Sequence, residues 1–295
     1  MKDVEIKLSY SAKAVEPYLE KLLQTPDSEL EPLYDAMRYA ALGGGKRIRP
    51  HLVFEFCRLF GGDEKAALPF AAAIELVHSS SLVHDDMPCM DNDDYRRGRL
   101  TCHKVYGEDI ALLCGDALIT KGYEAAAKND CVPPEAALEG VMLLISLAGG
   151  EGMMGGQNID LCSEGKTISF DTLLKMHAKK TGALISAAAL LGCVAAGVPT
   201  NDARAKDAET YARGVGLAFQ IIDDVLDVIG DEKTLGKHTH ADAEEGKMTF
   251  LSFMSVDDAY EYARRETEKA VSAVKKYDGS EDLVSFAEYL LHRMK

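Results

Sequence analysis

Two clusters of aspartate restrict what this chain can fold into more than any other feature. DDMPCMD carries Asp85, Asp86 and Asp91, and DDVLD carries Asp223, Asp224 and Asp227. Each follows a long apolar run that reads as helix, so burying the runs gathers carboxylates at helix ends, where they repel one another unless a cation lies between them. Magnesium suits such a place: it is hard, takes oxygen ligands, keeps several waters, and needs only one or two carboxylates when phosphate oxygens complete its shell. In the second cluster, aspartates at i, i+1 and i+4 fall within about 100° of arc and form one acidic helix face. In the first, Asp91 would be turned away by roughly 240° on a continuous helix. Pro88 stops that helix, and a loop through Cys89 and Met90 is expected to return Asp91 to the pair. One acidic triplet alone is as well explained by solvated surface charge. Two triplets, each closing an apolar helix, favour metal, and two such faces are enough to hold one diphosphate between them.

The rest of the chain reads as helices with short polar or glycine-containing joints and no alternating strand pattern. The expected helices span 11–24, 28–42, 50–60, 64–87, 109–128, 134–148, 150–162, 170–197, 202–230, 244–253, 256–276 and 281–294. Gly43, Gly44 and Gly45 close the second, Gly61 and Gly62 the third, and Pro133 and Pro134 open another. An all-α fold follows. No linker or composition shift divides the 295 residues, so one large helical domain is expected. Scarce aromatics and plentiful Ala, Leu and Met agree with helices.

A formal charge of −15 argues against nucleic acid or an anionic membrane as the main partner. The seven cysteines form no CxxC pair, and the charged start MKDVEIKLSYSAKAVEPYL is unlike a secretory signal, so a cytoplasmic location is expected. No stretch was expected to span a membrane. The nearest, GALISAAALLGCVAAGV at 182–198, reads as a buried core helix.

Cations accompany the acids. GGGKRIRPHL places Lys46, Arg47 and Arg49 beside glycines just before a helix start, where an anion meets both positive charge and helix-end N–H groups. It is not a Walker loop, and a basic loop alone is more often solvated. His78 lies seven residues before Asp85, about two turns along nearly the same face. A lone histidine there is more often a satisfied core residue. Arg96 and Arg97 follow the first cluster beside Asp93 and Asp94, an arrangement as compatible with a local salt-bridge loop as with a phosphate clamp. Lys179, Lys180 and Thr181 interrupt an apolar helix, Phe219 and Gln220 lie about a turn before Asp223, and Lys237 and Lys247 follow the second cluster. Any one lysine alone reads as surface, but cations arriving from separate segments are expected to form a second phosphate pocket.

DDMPCMDNDDYRRG and GLAFQIIDDVLD, with GGGKRIRP, GGQNIDL, KKTGAL and the late GKMTF, closely resemble the all-trans prenyl diphosphate synthases from about residue 30 to 255. The longer spacing in the first motif is similar to that of the bacterial and plant short-chain type. The resemblance implies a large single-domain helical bundle around a central cavity, commonly a homodimer, and about three magnesium ions on the six aspartates. It implies an isopentenyl diphosphate site of Lys46, Arg49, His78 and Arg97, and an allylic diphosphate site of Arg96, Lys180, Thr181, Gln220, Lys237 and Lys247. Lys180 also belongs with the catalytic aspartates, Phe219 with the substrate pocket, and Gln157 and Asp160 with the cavity's support. Lys237 precedes His238 and Thr239, where many relatives continue differently.

The chemistry so implied explains the residue types. Ionising an allylic carbon–oxygen bond requires stabilising a departing diphosphate, which divalent cations with Arg and Lys do electrostatically. Apolar walls keep water from the cation. Product length is expected to depend on Ser80 and Ser81, with Val77 and Ile74 further down: relatives carry a large aromatic as a floor at these serine positions, and small serines leave room for farnesyl or geranylgeranyl, the longer somewhat favoured. The rival readings are a class I terpene cyclase, disfavoured by DDVLD in place of an NDxxSxxxE motif and by the basic second-substrate group, and a non-catalytic partner subunit of a prenyl synthase, disfavoured by intact aspartates.

Overall fold

The computed structural model describes residues 2–229 and 247–292. Thirteen α-helices dominate these residues: α1 Lys2–Leu22, α2 Glu31–Ala41, α3 Ile48–Leu59, α4 Glu64–Asp85, α5 Cys102–Tyr106, α6 Glu108–Ala127, α7 Pro134–Ala148, α8 Met153–Ser163, α9 Phe170–Lys180, α10 Gly182–Ala195, α11 Ala203–Ile229, α12 Val256–Val274 and α13 Glu281–Leu291. The fold is all-α. Its one sheet among the described residues is a hairpin of two-residue strands, β1 Tyr95–Arg96 and β2 Arg99–Leu100, with Tyr95 opposite Leu100.

Helix starts follow local chemistry. Asp63 accepts from the Lys65 amide at 2.9 Å to cap α4, and Ser169 and Ser255 cap α9 and α12 through the Thr172 and Asp258 amides. Pro134 occupies the first turn of α7, where its missing N–H is no loss. Helix α4 is the spine, packing on α3, α6 and α10, and nearly all of its length from Ala66 to Ser80 is buried. A large core joins α1 to α8, α10 and the first half of α11. A smaller apolar cluster gathers α9, the end of α11 and α12 around Phe250, whose ring carries His177 stacked at 5.3 Å and Phe170 edge-on at 5.9 Å.

Several expected boundaries move. The first helix begins at Lys2 rather than 11, and residues 28–30 form a 3₁₀ turn before α2. The helix expected over 170–197 breaks at Thr181, where α9 and α10 meet at 43°. Of the helix expected over 244–253, the described part holds only a 3₁₀ turn, Phe250–Ser252.

The expectation that no stretch has the length and composition to cross a membrane does not hold. Two helical segments do, Glu64–Asp85 and Pro134–Ser163, and the bent pair α9 and α10 passes if taken together. Neither is an uncharged run, since each carries a few polar residues within a long apolar window. For Glu64–Asp85, 78% of the window lies inside the protein, so this apolarity is accounted for by packing against neighbouring helices. For Pro134–Ser163 only 33% does, because Leu138, Met142 and Ile145 form an exposed stripe on α7.

Candidate functional site

The first acidic cluster is assembled from three kinds of backbone. Asp85 is the last residue of α4, Asp86 is its C-cap, and Asp91 lies in the following loop. The Asp91 amide donates to the Asp85 carbonyl at 2.9 Å and the Asn92 amide to the Met87 carbonyl at 3.1 Å, with Asn92 in the left-handed region at φ 54°. The loop thus folds back and returns Asp91 to the pair, as the spacing predicts. The second cluster sits entirely on α11, with Asp224 and Asp227 buried. The Phe250 amide donates to Asp224 at 2.8 Å.

Side chains from other helices meet the first cluster. Gln157 of α8 donates to Asp85, and Lys180, at the end of α9, donates to Asp160 at 2.6 Å and lies 3.9 Å from Asp85. Lys247 lies 3.6 Å from Asp91, so a lysine that follows the second cluster in sequence reaches the first in space. Burial, only partly offset by Lys180, pushes the Asp85 carboxyl up to about 6. Burial also raises Asp86, against the pull of its bond with Arg96. That bond is bidentate, Arg96 Nε lying 2.7 and 2.9 Å from the two Asp86 oxygens. Arg96, expected in a phosphate pocket, is a partner of the first cluster in this structure: a planar guanidinium on the returning hairpin matches a buried carboxylate.

A cavity of about 380 Å³ opens beside this cluster. Its lining includes Asp85, Gln157, Lys180, Thr181, Arg49 and His78, together with Ser80, Ser81, Met153, Met154, Leu161 and Leu184, which are less polar. A second cavity of about 180 Å³ is lined by Asp160, His177, Lys180, Thr181, Gln220, Asp223, Asp224 and Lys247. Lys180 and Thr181 face both, because the helix break at Thr181 puts them at the junction.

The basic residues expected to act together divide. Arg49 and His78 share the larger cavity. Burial brings Arg49 down to about 10 and holds His78 well below its ordinary range, with Arg49 and Arg97 adding to the effect on His78. Arg97 stands on the hairpin and donates to the Gly44 carbonyl, tying the hairpin to the glycine loop. Gly45 stands at φ 123°, a conformation that side-chain-bearing residues rarely adopt, with the Arg97 guanidinium against it. Lys46 is exposed and its ammonium lies 5.8 Å from the centre of the Tyr289 ring on α13, so it is set apart from the cavity wall. Arg47 turns inward at φ 48° and is held by Glu75 at 2.7 Å and the Ala41 carbonyl at 2.9 Å. That buried pair anchors the start of α3, from whose first turn Arg49 projects. Phe219 is partly buried against the large core rather than lining either cavity. Lys237 lies outside the described residues. Val77 is fully buried, against Gly122 of α6, and does not reach the cavity.

Sequence reasoning missed His177, Met153 and Met154. His177 had a usable signal, since it lies three and four residues before Lys180 and Thr181 and shares their helix face. The methionines carried no chemical mark.

The donor set fits magnesium on its chemistry, because carboxylates from two separate helices, Asp85 on the larger cavity and Asp223 and Asp224 on the smaller, offer the hard oxygen ligands that magnesium takes. Among the described residues, no three acidic, His or Cys side chains converge closely enough to hold an ion unaided. That agrees with an ion whose shell is completed by water and phosphate oxygens, and not with a closed protein cage.

Comparison with known proteins gives the following. The family model described as polyprenyl synthetase matches residues 30–289. The protein named geranylgeranyl diphosphate synthase from Cyanophora paradoxa is 42% identical over 267 residues, covering 88% of this chain and 87% of that one. A crystal structure of an FPP/GFPP synthase from Zymomonas mobilis superposes with a TM-score of 0.87 at 35% identity, covering 98% of this chain and 99% of that one. One of geranylgeranyl pyrophosphate synthetase from Pyrococcus horikoshii superposes with a TM-score of 0.89 at 32% identity, covering 99% of each.

Proposed function

Because the chain belongs to the polyprenyl synthetase family, we propose that it is a short-chain all-trans prenyltransferase that condenses isopentenyl diphosphate with an allylic diphosphate, with geranylgeranyl diphosphate as its main product. The observation that carries this reading is one cavity whose lining brings together the partly buried carboxylate of Asp85, the polar Arg49, His78 and Lys180, the small Ser80 and Ser81, and an apolar wall of Met153 and Leu184. The product assignment draws on the small serines and on the name of the Cyanophora paradoxa relative.

Asp85, Asp86 and Asp91 with Asp223, Asp224 and Asp227 would hold the magnesium ions. Bound there, magnesium supplies the positive charge that stabilises a departing diphosphate. Lys180, between the two cavities, adds a fixed cation at the bond that breaks. The allylic carbon–oxygen bond opens with its electron pair leaving on the diphosphate. Arg49 and His78, with Arg97 behind them, orient isopentenyl diphosphate so that its double bond attacks the allylic carbon. The proton then lost from the isopentenyl unit passes to the released diphosphate, and a new alkene forms. The apolar wall excludes water from the cation.

The reading extends to one polyprenyl synthetase domain, a cytoplasmic location, and a homodimer formed through the exposed apolar residues Leu112 and Leu113 on α6 and Leu138, Met142 and Ile145 on α7. Sedimentation of the purified chain tests the dimer. Incubation of labelled isopentenyl diphosphate with dimethylallyl, geranyl and farnesyl diphosphates, followed by chromatography, tests the activity. Magnesium-dependent formation of geranylgeranyl diphosphate is expected. Diphosphate release that needs no isopentenyl diphosphate would instead support a cyclase, and absence of any turnover a partner subunit.

A further inference from the structure

We propose that Met153 is a chain-length stop of this enzyme, closing from α8 the cavity that Ser80 and Ser81 leave open on α4. The inference rests on the prenyl synthase reading and adds a specificity residue on a different helix from the serines.

The argument begins with a contact that registers the two helices. Gln157 donates to Asp85. One turn before each partner on its own helix, about 5.4 Å along the axis, stand Met153 and Ser81. Both line the same cavity, so the two helices present them to one space. Ser81 turns its hydroxyl onto the His78 carbonyl at 2.8 Å and so offers little bulk. Ser80 is buried and equally small. Met153 is 7% exposed and belongs to the large core, whereas the next residue, Met154, also lines the cavity but is 46% exposed. The long, inward-facing side chain opposite the serines is therefore that of Met153.

The backbone beneath Met153 is fixed. A Cβ on Gly156 would meet the Lys180 amide nitrogen at 2.0 Å, one on Gly152 the Leu147 carbonyl oxygen at 2.0 Å, and one on Gly155 the Gly150 carbonyl oxygen at 2.0 Å. These close approaches lock the first turn of α8 against the α9 end and the preceding bend, so α8 has no room to withdraw as a chain lengthens. What can yield is the thioether itself: three rotatable bonds let methionine adapt to a growing apolar tail until its reach is exhausted. A stop of that kind sets an upper length without excluding shorter primers.

The test is the product distribution of Met153→Ala, Met153→Val and Met153→Phe with labelled isopentenyl diphosphate and geranyl diphosphate, each variant checked for an unchanged melting profile. Ser81→Phe and the double variant Ser81→Phe/Met153→Ala complete the set. Product length is expected to fall as the side chain at 153 grows. Met153→Ala should raise the ratio of products longer than geranylgeranyl to geranylgeranyl itself by about tenfold, a difference of roughly 1.4 kcal/mol, and Met153→Phe should shift the majority to farnesyl. Met153→Ala should also restore part of the length lost in Ser81→Phe, a coupling expected of side chains that face each other across one space and not of a merely structural role. Active variants with the wild-type distribution, or no rescue of Ser81→Phe, would overturn the assignment of Met153. A wild-type enzyme that incorporates no isopentenyl diphosphate would overturn the functional reading beneath it.

Discussion

The two acidic clusters hold three aspartates each, yet they are built in different ways. The second is a property of one element: α11 runs unbroken from Ala203 to Ile229, and the i, i+1, i+4 spacing alone gives its face. The first is a property of the fold, taking Asp85 from a helix end, Asp86 from its cap and Asp91 from a loop that is folded back by backbone bonds. Side chains from the hairpin and from α8 and α9 then converge on it as Arg96, Gln157 and Lys180. The rigid face is set by local geometry, whereas the assembled one depends on tertiary contacts.

If both clusters act on one diphosphate, Asp85→Ala and Asp223→Ala should each lower isopentenyl incorporation by about 10³-fold or more with helical circular dichroism intact. Near-normal turnover in either would break the pairing of the two sites. Lys180→Ala removes the cation common to both cavities. A loss of about 10²-fold in kcat is expected, with partial recovery in Lys180→Arg; a change confined to KM would place Lys180 in ground-state binding only. The smallest effect is on stability. Asp85 is pushed up to about 6 in the folded protein, mainly by burial, against about 3.9 when unfolded. The folded state therefore holds the proton more tightly, and the metal-free protein loses stability as pH rises from about 4 to about 6, the loss being complete above that. Asp85→Asn should raise the melting temperature in chelator at pH 7.5 by about 6 °C, corresponding to roughly 3 kcal/mol, with the gain shrinking toward pH 5. A gain independent of pH would mean that the charge of Asp85 is not what burial opposes.

Most of the helical framework and both acidic clusters were legible in the sequence, because apolar periodicity, caps and the Pro88 stop act over a few residues. The return of Asp91 was legible for the same reason. What escaped was set by distant contacts. Nothing local marks Arg96 as a partner of Asp86, because its bidentate grip depends on the hairpin folding back over α4. Arg47 was grouped with its basic neighbours, yet it is an internal anchor because Glu75 is buried opposite it. Lys46 and Arg49 are three residues apart, and nothing local places one near Tyr289 and the other in the cavity. The break at Thr181 was hidden inside a continuous apolar run, although it positions Lys180 between the two cavities. Met153 carries no polar group by which a pattern could mark it.

The central claim is that both clusters grip one substrate diphosphate through magnesium. Calorimetric titration of an unreactive allylic thiodiphosphate into wild-type protein, Asp85→Ala and Asp223→Ala, each with and without magnesium, tests it most directly. Binding to wild type only with magnesium, and weakening of about 100-fold or more in both variants, is the result predicted here. Wild-type affinity in either variant, or affinity that is independent of magnesium, would contradict it.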